Sequence, residues 1–337
     1  MHPTGSTAMT SFRRNNIQGI IDLGNADIKF LYRIGDDSDD WHRHKFESVV
    51  STSPLVNNHP ARVLLGEQSY LIGEEATAVQ CDRTGNTDSG KVLNALPLTI
   101  HALIKAAGMG NPLSADLIFT CPSVKAYGSD IQAKLVGEHK VTLPPDDAAL
   151  IDEQKQTIRI DSAIPQLEGY QAYRLIKSEC PNGAVMVDIG SRTILVTVVD
   201  AQGRILNRFA KDDCGCHRIA ERVYQSECLI GLKGLNQRLP NAEQVMAFLL
   251  DTTTKKSLRQ QQATRIEPHV LACVQDAQTF VRQYGDKPVY LMGGGSMLPG
   301  MVDAFSDSQQ KAQTMPEATW ATLIGLSTVA DRLFTQN

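Results

Sequence analysis

The sequence lacks a long apolar run. None of its 337 residues falls in a stretch approaching the roughly 20 apolar residues of a bilayer-spanning helix. It also lacks an excess of charge of either sign: 33 Lys and Arg stand against 37 Asp and Glu, a net charge of −4. Neither direct DNA binding nor attachment to a membrane surface is therefore expected. The opening MHPTGSTAMTSFRRNN lacks an apolar segment and is read as a disordered arm, residues 1–16, not as a signal peptide or anchor helix. Arg13 and Arg14 are read as solvated charges on that arm. The seven cysteines lack a paired metal-binding pattern. The close pair Cys214 and Cys216, next to His217 in DDCGCHR, has no second CxxC or HxxxH to complete a site, so burial is expected instead. An odd cysteine count without a secretory signal points to reduced thiols and a cytoplasmic location.

What is present suits two hydrophobic cores. The stretch IIDLGNADIKF, Ile20 to Phe30, reads as a strand hairpin with an acid, a glycine and a lysine gathered at its turn. The layout returns at VMVDIGSRTILVTVV, Val185 to Val199, and a late glycine-rich strand end, VYLMGGGSMLPG, runs from Val289 to Gly300. Around these, strands are expected at 46–56, 63–72, 116–121, 140–143, 157–160 and 204–210. An exposed acidic turn is expected at 36–40, and loops at 84–90 and 144–155. Val92, Leu93, Leu96, Ile100, Leu103, Ile104 and Ala107 recur at helical spacing, so 90–107 is expected to be an amphipathic helix with Pro97 inside it. Further helices are expected at 123–137, 167–177, 217–225, 267–283, 301–305 and 318–333, with a mostly helical, charge-mixed stretch over 229–271. Pro181-Asn182-Gly183 marks a boundary. Each half is a run of strands followed by helices, which suggests two related α/β domains facing one cleft.

A triphosphate tail needs backbone N–H groups at close range, a cation, and carboxylates that hold a hydrated Mg²⁺. Gly24 and Gly190 admit close backbone approach. Asn25, Ala26 and Asp27 suit a hairpin tip, and Lys29 is placed to meet a phosphate as a point charge. Asp22 and Asp188 stand near strand ends, where they can hold metal-bound water or orient an attacking one. Gly293, Gly294 and Gly295 follow a strand and offer bare backbone to a purine or ribose. Any one of these signals is common in an ordinary turn; their order and spacing carry the weight.

Taken together, DLGNADIK (22–29), DIGSRT (188–193), LMGGGSMLPG (291–300), DDCG (212–215) and PEATWATLIGLSTVA (316–330) resemble the phosphate, adenosine, connecting and closing-helix motifs of the actin-like ATPase superfamily. The resemblance is strongest to the plasmid-segregation actins, the ParM/StbA group, through size and the order GEHKVTL, TIRID, IPQLEGYQAY, DIG. It implies an actin-like fold: two ribonuclease H-like α/β domains, 17–183 plus 317–337 and 184–316, flanking a nucleotide cleft. It implies ATP or GTP with Mg²⁺ as cofactors, Asp22 and Asp188 toward the metal, and Asp188 with Glu168 as catalytic residues, Gln166 being the alternative to Glu168. Gly24, Asn25, Ala26, Asp27, Lys29, Gly190, Ser191, Thr193, Gly215, Gly293, Gly294, Gly295 and Ser296 would bind nucleotide, and Arg192 sits where many relatives carry a small residue. As activity it implies phosphate release coupled to a polar, multi-stranded filament of the chain itself. An adaptor bound to centromere-like DNA is the implied partner. A small-molecule kinase or a non-polymerising scaffold ATPase on the same fold is the alternative.

Overall fold

The computed structural model describes residues 15–35, 40–53, 56–57, 59–78, 88–108, 113–143, 154–232, 235 and 237–335. Most of the expected arm, the acidic run ahead of Asp40, and the loops at 84–87 and 144–153 lie outside the described residues. Asn15 and Asn16, assigned above to the arm, already belong to the first strand.

The first half builds one sheet from β1 (Asn15–Leu23), β2 (Asp27–Ile34), β3 (His42–Glu47), β4 (Val50–Ser51), β5 (Val63–Leu65), β6 (Gln68–Ile72), β7 (Leu113–Cys121), β8 (Gly137–Leu143) and β9 (Gln154–Leu167), in the order β3-β2-β1-β7-β9-β8-β5-β6-β4. The second half builds another from β10 (Ala184–Ile189), β11 (Ile194–Val199), β12 (Ile205–Lys211), β13 (Val289–Met292) and β14 (Ala312–Thr314), in the order β12-β11-β10-β13-β14. The first five strands of the larger sheet and all five of the smaller share one plan. Two antiparallel pairings lead into the central strand, and two parallel pairings lead away from it. Strands β10 and β11 read as almost unbroken apolar runs because helical layers cover both faces of their sheet.

The helices are α1 (Glu74–Ala78), α2 (Asp88–Ala107), α3 (Ser129–Leu135), α4 (Cys216–Ser226), α5 (Ala242–Leu250), α6 (Lys256–Arg282), α7 (Met301–Ala304), α8 (Ala321–Ser327) and α9 (Ala330–Thr335). On the first sheet, α2 and α3 bury Ala95, Leu98, Leu103, Ile131 and Leu135 against one face, while Leu323 and Leu326 of α8 bury Ile20, Leu31 and Ile118 on the other. On the second, α4, α5 and α6 supply Ile219, Val245, Leu249, Ile266 and Val274 to one face; Ala172, Tyr173 and Ile176 cover Met186, Tyr290 and Met292 on the other. A segment of the first half thus lies on the second sheet, and the last part of the chain returns to the first. They cross where a Cβ on Gly325 would overlap the carbonyl of Gln171.

Several expectations are corrected. Residues 46–56 are not one strand: β3 ends at Glu47 and β4 holds two residues. The 123–137 helix is a wide turn, Val124–Gly128, followed by α3. The 167–177 helix is replaced by the end of β9, a turn at Glu168-Gly169, and short 3₁₀ segments at Gln171–Leu175 and Lys177–Glu179. Gly169 at φ +76° reverses the chain there. The helix expected at 267–283 is the second part of the 27-residue α6, which runs through Pro268 because Ile266, Val270, Val274, Ala277 and Val281 keep one face buried. The 318–333 helix is split into α8 and α9. In α2, Leu93 is 69% exposed, whereas Lys91 occupies the buried stripe with Ala95, Leu98 and Ala102.

Candidate functional site

The central strand of each sheet ends in Asp-X-Gly. Asp22 is the last residue but one of β1 and Asp188 the last but one of β10, so the two carboxylates hold equivalent places. Their neighbours differ. Asp22 lies in register with Lys29 on β2 and Thr120 on β7. Lys29 Nζ is 3.3 Å from Asp22 Oδ2, and Thr120 Oγ1 donates to Oδ1 at 2.7 Å. Asp188 lies in register with Leu195 on β11 and Met292 on β13, whose side chains have no donor to offer its carboxylate. Burial pushes its carboxyl up to about 7; the Glu168 charge adds to the rise and Lys29 opposes it. For Lys29, burial favours the neutral amine, but the carboxylates of Asp22 and Asp188 outweigh it and hold the pKa raised.

Glu168 follows the last residue of β9, and its N–H donates to the carbonyl of Cys121 at 3.0 Å, which fastens the turn to the end of β7. Its carboxylate Oε2 is 3.4 Å from Nζ of Lys91, itself only 5% exposed. The following Gly169 packs against Asp188: a Cβ there would stand 3.4 Å from Oδ2. Glu168 and Asp188 are thus adjacent although they come from different sheets. Gln166 bonds with Gln171 Nε2 at 3.3 Å and does not line the cavity that Glu168 lines.

That cavity, about 510 Å³, lies between the two sheets. Asp22, Gly24, Asn25, Ala26, Asp27, Lys29, Glu168, Asp188, Gly190, Ser191, Thr193, Gly293 and Gly294 all line it. Gly293 has φ +80°, and a Cβ there would overlap Asp188 Oδ1; Gly294 has open space where a Cβ would go. Three expected binders do not line the cavity. Gly295 packs on Ile189, and Ser296 is buried, its Oγ donating to Gly293 O at 2.7 Å. Gly215 presses on the carbonyls of Gly190 and Ser191. Four backbone N–H groups, of Cys214, Gly215, Cys216 and His217, donate to the carbonyls of Gly190, Ser191 and Arg192 and so fix the second loop. DDCG therefore braces the loop from behind. The Cys214 and Cys216 thiols are pushed up to about 11, chiefly by burial; Cys216, with Sγ 3.7 Å from Met246 Sδ, also lines the cavity.

The remaining lining divides the cavity. Lys45, paired with Asp27 at 2.9 Å, and Lys91 add cations at the carboxylate end. Met246, Leu250, Thr252 and Met297 form a largely apolar end, of a size and character to take a heterocyclic base. Arg259 fixes two walls of that end by donating to the carbonyls of Leu249 and Met297 at 2.5 Å each. The cavity wall also holds an orphan: Asn25 Oδ1 is buried without a partner. A hydroxyl or water donor brought by a bound molecule to the first loop would satisfy it; a phosphate oxygen, itself an acceptor, would not. Two carboxylates from opposing strand ends suit a hydrated Mg²⁺, which takes one or two carboxylates and keeps several waters.

None of Lys91, Thr120, Met246 and Met297 was expected. Lys91 had a signal, a lysine four, seven and eleven residues ahead of Ala95, Leu98 and Ala102 on one helical stripe. The others reach the site through register or loop packing, which leaves no local pattern.

The chain matches no protein-family model and no curated protein. Solved structures do match. An archaeal actin homolog in complex with ADP is similar at TM-score 0.66 and 16% identity, over 94% of this chain and 99% of that one. The chain has the actin-like fold. Bacillus thuringiensis ParM with ATP is similar at TM-score 0.62 and 16% identity, over 96% of this chain and 100% of that one. An AlfA filament bound to AMPPNP is similar at TM-score 0.57 and 17% identity, over 95% and 98%. The expected pair of related α/β units around a cleft is the actin-like arrangement seen here, down to the shared strand order of the two sheets.

Proposed function

We propose that this chain is a nucleoside-triphosphate hydrolase whose nucleotide state controls its assembly into filaments. The observation that carries the reading is the convergence of Asp22, Lys29, Glu168 and Asp188 on one cavity between equivalent sheets. The phosphate tail lies at the carboxylate end, against Gly24–Ala26 and Gly190–Thr193, with Lys29 as its cation. The base lies at the Met246–Leu250–Met297 end. Asp22 and Asp188 would hold a hydrated Mg²⁺, which would supply neutralisation of charge on the phosphate oxygens. Glu168 accepts a hydrogen bond from the attacking water and so aims it at the terminal phosphorus, while Asp188 assists.

With the domains taken as 17–183 plus 317–337 and 184–316, the segment at Ala172, Tyr173 and Ile176 crosses onto the second sheet and meets the returning α8 at Gln171 and Gly325, and we place the hinge of cleft opening there. Closure on the triphosphate favours the polymerising form, and phosphate release weakens it. A cytoplasmic role in moving plasmid DNA, through an adaptor on centromere-like DNA, follows the same kinship. The likeness to an AlfA filament bound to AMPPNP supports self-assembly, and ADP and ATP in the other two neighbours support the ligand. Among the described residues no helix is long and apolar enough to cross a membrane.

The test is light scattering with parallel phosphate release after addition of ATP or GTP with Mg²⁺, in wild type and Asp188→Ala. A scattering rise followed by phosphate release, with release lost in the variant, is the expected result. Steady release without scattering would replace the filament by a scaffold ATPase or kinase.

A further inference from the structure

We propose that Arg208 is a positioning residue for Glu168, acting on it across the cleft from the second sheet; this rests on the hydrolase reading above. Arg208 lies on β12, in register with Thr197 of β11. Its Nε donates to Thr197 Oγ1 at 3.3 Å, which fixes the root of the guanidinium to its own sheet. Its two terminal nitrogens cross to the other sheet. One donates to the carbonyl of Pro122 at 2.8 Å, the other to the carbonyl of Glu168 at 2.7 Å.

Those two acceptors end β7 and β9, and they are already joined by the bond from Glu168 N–H to Cys121 O. Arg208 therefore closes a ring through both strand ends. Glu168 is held at its N–H by the first sheet and at its carbonyl by the second. A guanidinium is a rigid planar fork, so it fixes both acceptors at once; a lysine ammonium on a flexible stem cannot reproduce that. A shift of the second sheet must break these bonds or carry the Glu168 backbone with it. The water-aiming carboxylate then depends on how the two sheets stand to each other, and the cleft has a built-in means of restricting hydrolysis to one arrangement. Arg208 does not itself line the cavity; it holds two residues that do, Pro122 and Glu168, so its effect on the reacting water passes through Glu168.

The experiment compares kcat and nucleotide Kd for wild type, Arg208→Ala, Arg208→Lys, Glu168→Gln and the double variant R208A/E168Q. The expected result is a kcat about 100-fold lower in Arg208→Ala, the scale of a catalytic group displaced by about 1 Å, with Kd unchanged. The double variant should be no slower than Glu168→Gln alone, since both changes disable the same group. Arg208→Lys keeps charge and bulk, folds if Ala does not, and should recover only part of the rate. Multiplying losses in the double variant, or a full wild-type rate in Arg208→Lys, would overturn this role while leaving the hydrolase reading standing. A wild type inert toward both ATP and GTP would remove the hydrolase reading and this role together.

Discussion

Lys91 and Glu168 form an ion pair inside the cavity, 77 residues apart in sequence, with Nζ 3.4 Å from Oε2. The lysine comes from the buried face of α2 and the glutamate from the turn after β9, so the pair ties a helix to that turn. Replacing Lys91 by Met leaves the glutamate charge without this cation in a partly buried setting, which costs on the order of 3 kcal/mol. The lost charge also weakens binding of triphosphate more than of diphosphate. Denaturant unfolding and titration with fluorescent ATP and ADP analogues would read both effects; equal losses for the two nucleotides would remove Lys91 from the phosphate end.

Asp188 makes stability depend on pH in a definite direction. Its folded pKa, about 7, exceeds the ordinary carboxylate value. Between about pH 4 and 7 the folded state therefore holds a proton that the unfolded state has lost. Stability is greatest at the acid end of that window and falls as pH rises through it. Asp188→Asn removes this slope and stabilises the ligand-free protein at pH 8, by up to about 4 kcal/mol from three pKa units. The difference between wild-type and variant unfolding free energies, followed from pH 4 to 8, checks it. Parallel curves would show that the carboxyl ionises normally.

The three glycines of the late strand end should respond differently to alanine. At Gly294 the protein leaves room for a methyl group, so Gly294→Ala should fold with wild-type stability. The methyl would stand where the nucleotide approaches, and affinity should drop about 10-fold, or about 1.4 kcal/mol. At Gly293 and Gly295 a Cβ meets Asp188 and Ile189, so those variants should lose about 1–3 kcal/mol of stability. Thermal unfolding alongside calorimetric nucleotide binding separates the two classes; a destabilised Gly294→Ala would show that the open space is not there.

At the crossing, Gly325→Val forces side-chain carbons onto the Gln171 carbonyl and the Ala172 amide. A loss of about 1–3 kcal/mol is expected, since neither backbone can yield without moving a domain. Urea unfolding measures it, and an unchanged midpoint would mean that the two segments part easily.

Much of this architecture is legible before any coordinates. Both hairpins announce themselves because an Asp-X-Gly between two apolar runs has few other ways to fold. Val289–Met292 is legible as a buried strand by its flanking glycines. The turn at Glu168 is not. Its helical appearance in sequence yields to Gly169, whose left-handed conformation reverses the chain and whose missing side chain leaves the room that Asp188 and Met292 of the other half take up. Arg208 is equally silent, since its acceptors are main-chain carbonyls 86 and 40 residues away. Leu93 and Lys91 mislead for another reason. Hydropathy places leucine inside and lysine outside, but a cavity lined with carboxylates reverses the preference for the charged residue.

The shared strand order of the two sheets has a consequence for direction. A cleft between two like halves would, if they were alike in chemistry too, accept an elongated guest either way round. Here Asp22 faces Lys29 across its hairpin, while the corresponding partner of Asp188 is Leu195. One lysine replaced by one leucine makes the two walls of the cleft unequal, so a charged tail held between them is drawn to the first sheet's side.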